Sequence, residues 1–97
     1  MPDVSDTAKH LIISGRVQGV YYRYSMQQQA TALGVTGWCR NLQTGEVEAT
    51  VVGSTDQVVQ MIDWCHQGPP NAQVTDVAIT DVAVPTAEAS NGFEIRG

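Results

Sequence analysis

The chain reads as an α/β sandwich: a βαββαβ order with a short extra C-terminal strand, forming an antiparallel sheet with two helices on one face. Three observations predict it. Two stretches carry apolar residues at helical spacing, and each ends in a glycine. Four runs rich in β-branched residues surround them, two of these joined by a four-residue turn. A length of 97 residues is enough for one core and short of two, so residues 1–97 form a single domain.

Residues 1–8 are polar and read as a flexible lead-in. The first strand, Lys9 to Ser14, puts Leu11 and Ile13 on one face and His10 and Ile12 on the other, so the first pair faces the helices. A loop bracketed by Gly15 and Gly19 leads into a helix from about Tyr22 to Leu33. Tyr22, Met26, Ala30 and Leu33 make its apolar stripe, Gln27 to Gln29 a solvated flank, and Gly34 the stop. Val35 to Asn41 is the second strand and Leu42 to Gly45 a hairpin turn. The third strand, Glu46 to Val52, alternates with Val47, Ala49 and Val51 inward. Ser54, with Gln57 three residues on, fits a capping box. Behind it Val58, Met61, Ile62 and Cys65 mark the second helix, which Gly68-Pro69-Pro70 ends. Ala72 to Val84 predicts a fourth strand, with Val77 and Ile79 on the core side. Pro85 to Gly92 is a polar connection, and Phe93 to Arg96 has room for one short strand. Two right-handed crossovers split around a hairpin make this the ferredoxin-like α/β sandwich.

Net charge is −5, which argues against a nucleic-acid partner, and no apolar run reaches membrane length. The acidic N-terminus lacks the hydrophobic core of a secretory signal, so the expected location is cytoplasmic and the expected state a monomer. The distribution of charge says more than its total. From Thr7 to Gln43 there are four bases, Lys9, Arg16, Arg23 and Arg40, and no acid. A positive island in an acidic chain is what a small anion site looks like. Cys39 and Cys65 have neither a CxxC nor a metal spacing; buried thiols or a disulfide both fit. His10 and His66 have no carboxylate partner in a recognisable motif.

The loop between the first strand and helix carries the chemistry. Gly15, Arg16, Val17, Gln18, Gly19, Val20 and Tyr21 form a short glycine-bounded turn whose backbone N–H groups can cradle an anion. Arg23, at the start of the helix, brings a planar fork to the same anion. With the first two strands expected side by side, Asn41 at the exit of the second reaches the same end. Its amide both donates and accepts, so it can hold a water in a set orientation. A phosphate site with an oriented water is a hydrolytic constellation. A binding module that holds an anion without turnover is the competing reading.

At these residues the chain resembles the acylphosphatase family. Gly15-Arg16-Val17-Gln18-Gly19-Val20-Tyr21-Tyr22-Arg23 is similar to the family's first signature, and Gly37-Trp38-Cys39-Arg40-Asn41 with Gly45 to its second. Trp64 with Gly68-Pro69, and Phe93-Glu94-Ile95-Arg96, also match, so the likeness runs from about Lys9 to Arg96. It implies hydrolysis of the carboxyl–phosphate bond of a small-molecule acyl phosphate, with no metal and no cofactor. Arg23 and the loop N–H groups would bind the phosphate, and Asn41 would orient the attacking water. Tyr22 departs from the family's usual Phe and adds a hydroxyl that must be satisfied; Cys39 replaces an aliphatic residue. The residue after Arg96 also departs, which bears on whether Arg96 touches the loop.

Overall fold

Alternation sorts the central strands. Leu11, Ile13, Val47, Ala49 and Val51 are buried, whereas His10, Ile12, Glu48 and Thr50 between them stay partly exposed. The computed structural model describes residues 6–84 and 92–96. These form β1 (Asp6–Arg16), α1 (Tyr22–Leu33), β2 (Thr36–Asn41), β3 (Val47–Ser54), α2 (Thr55–Gln67), β4 (Gln73–Asp81) and β5 (Phe93–Arg96). The sheet order is β4-β1-β3-β2-β5. The first four strands pair antiparallel in the expected ferredoxin-like layout, and β5 joins β2 in parallel, so the appended strand makes the sheet mixed.

That order corrects one expectation. β1 and β2 are not neighbours, because β3 lies between them. Both run antiparallel to β3, so they point the same way and end together. Ile13 and Asn41 each pair with Val47.

One core of Leu11, Ile13, Tyr22, Met26, Val47, Val51, Met61 and their neighbours fills the space between sheet and helices. Tyr22 satisfies its hydroxyl by donating to Cys65 O at 2.6 Å, and its ring lies 5.4 Å from that of Trp64. α2 carries the predicted capping box: Ser54 Oγ accepts from Gln57 N at 3.2 Å, and Gln57 Oε1 from Ser54 N at 2.8 Å. No helix among the described residues is long and apolar enough to cross a membrane.

Two further expectations need correction. Asp6–Ala8 belong to β1 rather than to a flexible lead-in, and Ala8 is buried; residues 1–5 lie outside the described residues. β4 stops at Asp81, short of Val84, and Ile79 is 46% exposed. As an edge strand β4 buries only Val77, so sharing a face with Val77 does not bring Ile79 into the core. Cys39 and Cys65 are free buried thiols, the first of the two readings their spacing allowed. The connection expected from Pro85 to Gly92 lies almost wholly outside the described residues.

Candidate active site

Gly15 and Arg16 still belong to β1, so the loop proper is Val17 to Tyr21. Gly15 sits where the β1–β4 register shifts, with φ +118°. A Cβ there would meet Gln73 O at 2.1 Å, so its glycine serves the close approach of β4. The loop is pinned from inside, because Val17 and Val20 are buried in the core. It is pinned from the side by Gln18, whose Nε2 donates to Leu42 O at 2.8 Å and Glu46 O at 2.9 Å.

Held this way, the loop leaves its own donors open. Outside the strands and helices, no backbone hydrogen bond among the described residues is donated by residues 17 to 21. α1 continues the pattern. Its N-cap, Tyr21, is left-handed at φ 63°, makes no side-chain cap, and no acidic residue stands in the first turn. Uncapped N–H groups and the positive end of the helix dipole therefore meet the loop. Tyr21 is the one non-glycine residue of positive φ among the described residues, a strained conformation that marks the loop–helix junction.

A cleft of about 410 Å³ opens here, lined by Val17, Gln18, Gly19, Tyr21, Tyr22, Arg23, Tyr24, Asn41 and Ile95. The structure thus brings Arg23, Asn41 and most of the expected loop together. Gly15, Arg16 and Val20 do not line the cleft. Neither does Arg96, which pairs with Glu94 and lies 4.9 Å from the Trp38 ring centroid.

Charge pairing sharpens the positive island. Lys9 pairs with Asp81, and Arg40 with Glu48 at 2.6 Å. Among the described residues Arg16 and Arg23 form no ion pair, so the uncommitted cations lie beside the loop and in the cleft. Asn41 Oδ1 is buried with no hydrogen-bond partner among the described residues. A buried acceptor left open is rare and calls for a partner from outside the chain. Cys39, whose Sγ lies 3.9 Å from Arg23 O, is no nucleophile: burial pushes its thiol up to about 12 despite the opposing Arg23 charge.

Sequence reasoning missed Tyr24 and Ile95 in the cleft wall. Tyr24 adjoins the first signature and was open to notice. Ile95 falls within the matched Phe93–Arg96 stretch, but its place in the cleft depends on β5 joining the sheet beside β2.

Comparison with known proteins agrees with the geometry. The Acylphosphatase family model matches residues 9–95. An acylphosphatase of Trichormus variabilis is 49% identical over 87 residues, covering 90% of this chain and 83% of that protein. One of Haloarcula marismortui is 44% identical over 93 residues, covering 96% and 99%. The solved structure of an acylphosphatase from Coxiella burnetii superposes with a TM-score of 0.86 at 35% identity, over 94% of this chain and 93% of that one. With its signatures, fold and cleft in agreement, this chain belongs to the acylphosphatase family, hydrolases that act on acyl phosphates.

Proposed function

We propose that the phosphoryl group of an acyl phosphate sits at the polar end of the cleft, gripped by the Arg23 guanidinium and the open N–H groups of Val17 to Tyr21. The Asn41 amide holds a water in line with the bond to be broken, and the water attacks phosphorus as the carboxylate leaves. One observation carries this reading: an unpaired guanidinium and an unpaired buried amide oxygen share one cleft with a loop of uncommitted donors.

The chemistry asks for little more. A carboxylate is a weak base and departs without a proton, so no general acid is needed. Phosphoryl transfer depends on positioning and on balancing charge at the equatorial oxygens. Arg23 and the N–H groups supply the charge, so the step runs without an added metal ion. Among the described residues no carboxylate or histidine lines the cleft, and the water's proton passes to a phosphoryl oxygen.

Phosphate release from acetyl phosphate tests this, with and without EDTA, in the parent, Arg23→Ala and Asn41→Ala. Each variant is expected to lose a factor of roughly 10² to 10³ in rate while remaining folded, and EDTA to change nothing. A folded parent that binds phosphate but turns nothing over is an anion-binding module instead.

A further inference from the structure

The cleft is lined by apolar and aromatic side chains as well as by Arg23 and Asn41. Its volume of about 410 Å³ falls in the range of small-molecule sites, roughly 300–1,000 Å³, and exceeds what a phosphoryl group needs. Seven large apolar side chains are exposed among the described residues, and three of them, Tyr21, Tyr24 and Ile95, line this one cleft. Tyr21 is 80% exposed and Tyr24 55%. The tyrosines differ in what they offer. Tyr22 is buried with its hydroxyl spent on Cys65, whereas Tyr24 stands free of the core and accepts a hydrogen bond from Gln28 Nε2, one turn on, at 3.1 Å. Ile95 lies opposite Cys39 in the β2–β5 register. Cys39 is wholly buried there, but Ile95, on the edge strand, keeps 38% of its surface open. Exposed apolar surface gathered beside a polar anchor marks a place for the apolar part of a ligand.

We propose that Tyr24 and Ile95, with Tyr21 at the rim, form an acyl subsite that selects acyl phosphates with an aromatic or bulky apolar acyl group over those with a small one. This rests on the acyl-phosphate reading above. The phosphate end supplies grip and chemistry, and the apolar end supplies discrimination. An aromatic acyl group packed on Tyr24 gains roughly two- to tenfold in kcat/KM. The contact exists before and during reaction alike, so the gain lies mainly in KM.

The test compares kcat and KM for benzoyl phosphate and acetyl phosphate in the parent, Tyr24→Ala, Tyr24→Phe, the double variant Tyr24→Ala/Ile95→Ala, and Arg23→Ala. Both target side chains are exposed, so the variants keep their fold. The benzoyl-to-acetyl ratio of kcat/KM is expected to fall about fivefold in Tyr24→Ala through a higher KM for benzoyl phosphate. It should hold in Tyr24→Phe, which keeps the ring, and fall further in the double variant. Arg23→Ala should depress both substrates alike. A ratio unmoved by the double variant, with turnover still dependent on Arg23, overturns the subsite alone. A parent inert on both substrates overturns the subsite together with the hydrolytic reading.

Discussion

The side-chain amide of Gln18 donates to the carbonyl of Leu42, the residue that follows Asn41, across 2.8 Å. Its second proton goes to Glu46 O at 2.9 Å, and Leu42 N closes the hairpin onto Glu46 O at 2.8 Å. The loop after β1 and the strand end that carries Asn41 are therefore one bonded unit, although β3 separates their strands.

Gln18→Ala cuts that tie without touching Arg23 or Asn41. It is expected to lower kcat/KM about tenfold through misplacement and to cost about 1 kcal/mol of stability. Gln18→Glu should do worse on both counts, since a carboxylate cannot donate to two carbonyls. Steady-state kinetics beside urea melts decide it; a loss within twofold for both variants means that the buried valines alone hold the loop.

Gly15 and Gly19 should differ under the same substitution. Gly15→Ala puts a methyl 2.1 Å from Gln73 O at a φ of +118°, and is expected to destabilise by more than about 2 kcal/mol. Gly19, at φ +76°, has nothing within 4 Å of an added Cβ, so Gly19→Ala costs only the left-handed strain, about 1 kcal/mol. Urea midpoints of the two variants read the difference directly.

Acid should find Glu48. Its carboxylate accepts from His10 Nε2 at 2.8 Å and from Arg40 Nε at 2.6 Å, and these bonds, that to His10 first, hold it below the usual carboxylate range. A depressed folded value means the contribution is whole above the unfolded value near 4.5 and is lost as pH falls through the lower folded one. Stability of the parent is thus expected to fall more steeply below about pH 4.5 than that of Glu48→Gln. Parallel slopes in thermal melts across that window remove the pair from the acid response.

Both thiols should be silent until the protein opens. Burial pushes Cys39 and Cys65 each up to about 12. Native protein at pH 8 is expected to give no reaction with DTNB, and protein in urea two equivalents per chain. No thiol in urea means a disulfide; rapid native reaction means an exposed site.

Local chemistry made much of this legible. Ser54 and Gln57 announce α2 because a capping box is satisfied within four residues, and Tyr22, Met26 and Ala30 announce α1 because their stripe is its buried face. Ile79 misled because alternation reports which face a residue takes and not how far the layer above extends. Arg23 and Asn41 stood out through their signatures, yet the route by which their elements meet did not. A strand order is set by pairings made across the whole chain, here by β3 inserting between β1 and β2. The place of Ile95 was illegible for the same reason, since a cleft wall belongs to no single segment.

The unpaired Asn41 oxygen has a thermodynamic consequence. A buried acceptor with no partner in the chain needs a water from the cleft, and left dry it would cost about 1–3 kcal/mol. Asn41→Leu, of similar volume, removes that need and is expected to melt no lower than the parent while hydrolysing nothing. At this end of the sandwich, the atom that turnover depends on adds nothing to resistance to heat.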